Sequence, residues 1–201
     1  MVRAVIVDYG VGNLFSIRSS LTKAGFDASI SSDPMYLRSA DAIILPGVGS
    51  FTAGSKNIQG IKDTLLDAIE RCTPLLGICL GMQLFFEESE EGPGRGLGIL
   101  SGKVVGLPKG VKSPHMGWNN LRIVRYTELL EGISEKDYFY FVHSYYVKPY
   151  DRGIIIAETG YGVDFTSVIA RGSIFGVQFH PEKSDGPGMH VIRNFMKITR
   201  R

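Results

Sequence analysis

A cysteine lies between two glycines in "GICLG", residues 77–81, where the apolar run "PLLGIC" meets a stretch of helical character, "LGMQLFFEESEE". G-x-C-x-G between a strand and a helix is the cysteine form of a nucleophile elbow. A nucleophile on a sharp, strained turn projects from the backbone, and Gly77 and Gly81 let neighbouring chain come close. A helix starting near Leu80 aims free N–H groups and its dipole at the sulfur, which favours thiolate over thiol. The Leu80 N–H would also lie beside an oxyanion formed on a carbonyl attacked by Cys79. The second cysteine, Cys72, ends an amphipathic segment before "TP", has no glycine neighbours, and reads as structural.

A cysteine nucleophile needs a base, and the chain has four histidines. His190 falls in the closing helical stretch without a suitably placed acid. His115 stands at a loop or strand start, and His143 within a strand. His180 ends the strand "IFGVQF" and is followed by Pro181 and Glu182. Side chains two apart on an extended chain share a side, and Pro181 stops the ladder and stiffens the turn. Glu182 can then hold one imidazole nitrogen while the other faces Cys79, the base-plus-orienter arrangement of a triad. In α/β-hydrolases the acid precedes the histidine; here it follows by two residues, which argues against an esterase carrying cysteine for serine.

The elements that must position these groups alternate over residues 1–91. "AVIVDYG" is a buried strand. Leu14, Ile17, Leu21 and Ala24 recur at helical spacing until Gly25. "DASIS" is a second strand, "DPMYLRSA" a short helix with Asp33 at the cap and Pro34 at its first position, and "DAIILPGVG" a third strand running into a glycine loop. "KNIQGIKDTLLDAIERC" is amphipathic, with Ile58, Ile61, Leu65, Leu66 and Ile69 on one face. "PLLGIC" is the fourth strand, and "LGMQLFFEESEE" a third substantial helix. This alternation predicts an α/β fold, a doubly wound and mostly parallel sheet with helices on both faces. Beyond the loop "EGPGRGLG", the segments "YFYFVHSYYV", "GIIIAET" and "FTSVIARGSIFGVQFH" predict an antiparallel C-terminal extension, with a hairpin turn at Arg171-Gly172. "GMHVIRNFMKI" closes the chain as a helix. No repeat or linker interrupts it, so residues 1–201 are expected to form one domain.

Composition narrows the function classes. Of 201 residues 44% are hydrophobic, and 22 basic against 20 acidic side chains leave a net charge of +2, too balanced to point to nucleic acid. Two cysteines are too few for a secreted disulfide scaffold, and neither a membrane span nor a signal peptide is evident, so a cytoplasmic location is expected. "DYGVGN" lacks the full dinucleotide or P-loop pattern, and no Cys/His cluster has zinc spacing, so neither cofactor nor metal is expected.

"PGVGSF", "GICLGMQLFFEESEEG" and "GVQFHPEKS" together resemble the triad-type (class I) glutamine amidotransferases. "VDYGVGN", "LPGVGSF", "PHMGWN" and "YFVHSYY" narrow the likeness to the glutaminase subunits of imidazole glycerol phosphate synthases, from about Val7 to Ser184. The resemblance implies a glutaminase with Cys79 as nucleophile, His180 as base and Glu182 as orienter. It also implies ammonia delivery to a separate cyclase/synthase subunit. It implies that the loop Gly47–Gly49 supplies a second oxyanion N–H, at Val48, beside that of Leu80. Gln83 and Glu91 would hold the glutamine backbone and ammonium, and His143, Ser144 and Tyr145 would line its carboxylate. Asn13, Trp118, Tyr140 and Lys183 would face the synthase partner; Trp118 and Tyr140 also fit a core role. Glutaminases of anthranilate, guanylate or cytidylate synthesis share the elbow and remain alternatives, as does a peroxide-sensitive thiol protein. The latter has no use for "HPE" or "PGVG".

Overall fold

In the computed structural model, which describes residues 1–200, strand and helix alternate up to the elbow. The elements are β1 (Arg3–Val7), α1 (Leu14–Ala24), β2 (Asp27–Ser31), α2 (Pro34–Arg38), β3 (Ala42–Leu45), α3 (Phe51–Ile58), α4 (Lys62–Glu70), β4 (Leu75–Ile78) and α5 (Leu80–Gln83). Local chemistry sets their ends. Asn13 and Asp33 cap α1 and α2 through their side-chain oxygens, and Gly25 ends α1 in the left-handed region at φ 102°. The chain continues through β5 (Glu88–Ser89), β6 (Gly102–Gly106), β7 (His115–Asn120), β8 (Arg122–Ile123), β9 (Tyr138–His143), β10 (Tyr145–Pro149), β11 (Ile155–Gly160), β12 (Asp164–Arg171), β13 (Ile174–Val177) and α6 (Asp185–Ile198).

The main sheet runs β2-β1-β3-β4-β13-β12-β10-β6-β5. Strands β2, β1, β3, β4 and β13 pair in parallel, and β12 then turns the sheet antiparallel through β10 and β6. The doubly wound sheet with an antiparallel extension is therefore as expected. Alternate residues of each central strand point to opposite faces. Ala4, Ile6, Ile44 and Ile78 join α1 and α6 in one core, while Val5, Val7, Ile43 and Leu75 join α3 and α4 in the other. Burial on both faces explains why these strands read as continuous apolar runs.

Three local expectations are corrected. "KNIQGIKDTLLDAIERC" is not one helix: α3 begins at Phe51, and a 3-10 turn at Gln59–Ile61 separates it from α4. The break rotates the buried stripe onto Ile58, Ile61, Leu65 and Ala68, leaving Leu66 and Ile69 half-buried. "LGMQLFFEESEE" forms only one helical turn. Leu84, Phe85 and Phe86 are consecutive and all fully buried, which no single helix face allows. The chain instead folds back, with Leu97 N–H donating to Leu84 O and Ile99 N–H to Phe85 O. "YFYFVHSYYV" breaks at Ser144: β9 pairs with β7 in a separate two-stranded ribbon, and β10 joins the main sheet.

Cys72 is exposed, at φ 58°, just past the end of α4. Its N–H donates to Ile69 O and that of Thr73 to Ala68 O, the bonding of a left-handed helix end where glycine is preferred. Cys72→Gly is expected to leave hydrolytic activity intact and to raise stability in urea titration by about 0.5–1 kcal/mol, the left-handed strain of a side chain offset by glycine's greater unfolded freedom.

Candidate active site

Cys79 stands immediately after β4 at φ 53°, ψ −112°, a strained conformation for a residue with a side chain. The flanking glycines are required by contact. A side chain at Gly77 would start 2.6 Å from the Phe85 ring, and one at Gly81 would start 1.8 Å from Leu45 O at the end of β3. The Cys79 N–H donates to Val177 O at 2.8 Å, which ties the elbow to the end of β13. Because α5 is a single turn, its dipole contributes less at the sulfur than a long helix would.

Beyond β13 the chain bends at Gln178 and Phe179 before reaching His180, so the histidine stands three residues past the strand rather than at its end. His180 Nδ1 lies 2.9 Å from Glu182 Oε1, with both side chains buried. The carboxylate can only accept, so Nδ1 carries the proton. Nε2 is buried without a hydrogen-bond partner of good geometry and lies within electrostatic reach of Cys79. Burial alone would lower the His180 pKa; the Cys79 sulfur and the Glu182 carboxylate outweigh it and push it up to about 10. Ser184 holds the backbone behind the ring. Its buried hydroxyl accepts the Tyr140 N–H at 2.9 Å and donates to His180 O at 2.6 Å, and the His180 N–H donates to Tyr140 O at 2.9 Å.

A cleft of about 450 Å³ opens over the sulfur. Val48, Gly49, Leu80, Gln83, Glu91, His143, Ser144, Tyr145 and Lys183 all line it with Cys79, as does Val142. Gly47 does not line the cleft. It is buried under the loop, where a side chain would start 2.7 Å from both Leu80 Cβ and the Tyr9 hydroxyl. That contact brings the "PGVG" loop against the elbow. The Tyr9 hydroxyl donates to Pro46 O and fixes the loop's first carbonyl. Burial and the nearby Cys79 keep this phenol protonated far above its usual range. Glu91 is not at a helix end. It lies in the turn after β5, lines the cleft, and accepts the Phe51 N–H at Oε2 at 2.6 Å.

Two histidines form a buried relay. His143 Nδ1 lies 3.0 Å from Tyr145 O, so it must donate, and Nε2 must then accept from His115 Nδ1 at 3.0 Å. His115 Nε2 in turn faces Asn119 Nδ2 at 3.4 Å. Each ring has one N–H and is neutral. Burial lowers His115 to about 4, and burial with the His115 and His180 charges lowers His143 to about 3. The imidazole of His143 is thus committed to this relay.

Of the residues expected to face a partner, Trp118 and Tyr140 stand opposite each other across the β7–β9 ribbon, rings 5.9 Å apart, with Trp118 half exposed. Lys183 Nζ sits 5.9 Å over the Tyr140 ring. Asn13 is exposed beside Gly12, where a side chain would start 3.4 Å from Pro46 Cβ and 3.6 Å from Gly47 N. All four lie outside the cleft except Lys183. The sequence reading missed Gln178, Ser184 and Tyr9. Gln178 was findable, since it is two residues before His180 in the run read as a strand, where alternate residues share a side.

A glutamine amidotransferase class-I family model matches residues 5–198. The chain belongs to this family. Imidazole glycerol phosphate synthase subunit HisH of Methanothermobacter thermautotrophicus is 50% identical over 97% of this chain and 98% of its own length. The HisH subunit of Pyrococcus furiosus is 49% identical over 98% of this chain and 100% of its own. Among solved structures, PurLQS from Thermotoga maritima superposes with a TM-score of 0.81 at 21% identity, covering 98% of both chains, a likeness of fold. The match displaces the thiol-sensor alternative; Cys79 lines the cleft, and the buried His180–Glu182 pair stands behind it.

The histidines set opposite pH limbs. His143, depressed below an unfolded value near 6.5, contributes stability above that pH and loses it on acidification. The expected loss is about 1.4 kcal/mol per pH unit between roughly 6 and 4. His180, raised, contributes fully below about 6.5 and fades as pH climbs towards 10. Urea unfolding from pH 4 to 10 should therefore show falling stability on both sides, and His143→Gln, although weaker at pH 7, should flatten the acid limb.

Proposed function

We propose that the chain is the glutaminase subunit of an imidazole glycerol phosphate synthase. In this reading it hydrolyses glutamine to glutamate and ammonia and passes the ammonia to a separate cyclase subunit in histidine biosynthesis. The observation that carries the chemistry is the buried His180–Glu182 pair, with its free Nε2 turned to the strained Cys79. Relatives with that subunit name at about half identity, over nearly their whole length, support the pathway over anthranilate, guanylate or cytidylate synthesis.

Cys79 Sγ attacks the glutamine side-chain amide carbon. The amide C=O electrons move to oxygen, where the N–H groups of Leu80 and Val48 receive the charge. His180 delivers a proton from Nε2 to the amide nitrogen, the C–N bond breaks, and ammonia leaves a thioester on Cys79. Water then adds to the thioester carbon as His180 takes its proton. The C–S bond breaks, its electron pair returns to sulfur, and glutamate departs. Glu182 orients the ring and stabilises the imidazolium. Glu91 Oε1 and Gln83 Oε1 receive the substrate ammonium, and the Ser144–Tyr145 backbone receives its carboxylate. The chain acts as one domain, 1–201, without metal or cofactor. No helix among the described residues is long and apolar enough to cross a membrane. Two free cysteines support a cytoplasmic setting.

The partner reading rests on the β7–β9 ribbon. Met116, Trp118 and Tyr138 are exposed on one face, while Phe139, Phe141 and His143 are buried on the other. Val142 and Lys183 belong to both the exposed side and the cleft, so the aromatic face runs directly into the reaction chamber. An ammonia-consuming subunit seated there would cover the cleft mouth.

Cys79→Ala should abolish glutamate release while Cys72→Ala leaves it within about twofold; equal loss in two folded variants would remove the elbow from the mechanism. Glu182→Gln should cost less than His180→Ala, since general acid–base transfer is typically worth about 10²–10⁴ in rate. Glutamate release by the chain alone should be low and should rise about 10²–10³-fold with the synthase subunit and its nucleotide substrate. That is the worth of one oxyanion donor withheld until docking. Full activity without the partner would exclude that switch and leave the triad standing.

A further inference from the structure

One carbonyl determines the orientation of every amide between it and the catalytic sulfur. Tyr145 O can only accept. The Gln83 side-chain atom 2.9 Å from it must therefore be Nε2, and the His143 ring nitrogen on it must carry hydrogen. The same Gln83 Nε2 lies 3.2 Å from Gln178, so the Gln178 atom facing it must be the acceptor Oε1. The other end of the Gln178 carboxamide is then Nε2, a donor, and it lies 3.5 Å from Cys79 Sγ. Gln178 is fully buried, so no water competes for that hydrogen. Flipping its carboxamide would set two N–H groups against each other at Gln83 and turn an oxygen to the sulfur.

We propose that Gln178 is a further catalytic residue, a fixed N–H donor that holds the Cys79 sulfur as an acceptor in the resting enzyme and receives it again when the thioester breaks. The proposal rests on Cys79 being the nucleophile. A neutral thiol has the Val142 carbonyl 3.9 Å away and faces His180 Nε2, which takes its hydrogen when the thiolate forms. A thiolate accepts from Gln178 directly, and hydrogen bonds to ionised acceptors are about twice as strong as neutral ones. During hydrolysis of the thioester, the electron pair of the breaking C–S bond returns to Sγ, where the Gln178 N–H already points. Gln83 thereby acquires a second task beside the substrate, since its amide locks that of Gln178. The titratable groups around the sulfur are His180 backed by Glu182, Tyr9, and His143 behind His180, while Glu91 and Lys183 line the cleft.

The test is alkylation of Cys79 by iodoacetamide as a function of pH, in a Cys72→Ala background so that one sulfur reacts. Gln178→Met keeps the length and burial and removes the donor. The midpoint of the alkylation profile should move up by about one pH unit, with kcat for glutamine falling at least about tenfold and KM changing less than about twofold. Gln83→Met frees the Gln178 amide to turn and should move the midpoint the same way by less. An alkylation profile that superimposes on the parent's overturns the proposal, as does a raised KM at unchanged kcat, which would make Gln178 a substrate contact. If Gln178→Met does not fold, an unshifted midpoint in Gln83→Met overturns it. Alkylation needs no glutamine turnover, so this outcome is separate from the Cys79→Ala experiment that tests the nucleophile itself.

Discussion

The parallel register of β4 against β13 is the constraint from which the site follows. Gly77 pairs with Gly176 and Ile78 with Val177, so the chain leaves both strands at the same edge of the sheet. Cys79 then stands level with Gln178, and His180 follows two residues later. The two facing glycines permit this. A side chain at Gly176 would start 2.5 Å from Met82, and one at Gly77 would strike Phe85, so α5 packs directly on the strand pair. Cys79 and His180 come from distant parts of the sequence, yet their spacing is set by the backbone hydrogen bonds of paired strands.

Two buried histidines in one site show how the groups beside the ring decide the charge. His180 offers Nδ1 to a carboxylate, and its positive form is stabilised. His143 offers Nδ1 to the Tyr145 carbonyl, which carries no net charge, and burial leaves it neutral. Desolvation acts against the imidazolium at both positions; at His180 the Cys79 sulfur and the Glu182 carboxylate together reverse the result. The neutral pair serves geometry, fixing hydrogen positions along a line that reaches Asn119 on the ribbon.

The parallel half of the fold was legible because each of its signals was local. Strands buried on both faces show as apolar runs, and Asp33 at a cap and Gly25 at a stop mark the helices; the Asn13 cap was not read. The grouping proposed as the triad was marked for the same reason: G-x-C-x-G and H-P-E each compress a geometry into five residues or fewer. The errors came where tertiary burial overrode pattern. "LGMQLFF" has helical composition, but three consecutive side chains are taken into the core, and the helix stops after one turn. β6 was not expected, since "GKVVG" is short, and half-polar "HMGWNN" left His115 at either a loop or a strand start; their neighbours in the sheets supply the pairing. The task of Glu91 at the Phe51 N–H needs residues 40 positions apart to return to one place, which no short motif records.

Tyr140, Ser184 and His180 close a ring of three hydrogen bonds through two backbone segments and one hydroxyl. On its outer side the same Tyr140 presents its phenol ring to Trp118 and Lys183. Mechanically, the aromatic face and the imidazole are two ends of one short lever, with the serine as its pin. Load placed on the ribbon reaches the ring nitrogen without passing through a flexible loop. The aromatic face and the imidazole are therefore held at one fixed separation, and a substitution at Ser184 would remove two of the three bonds that set it.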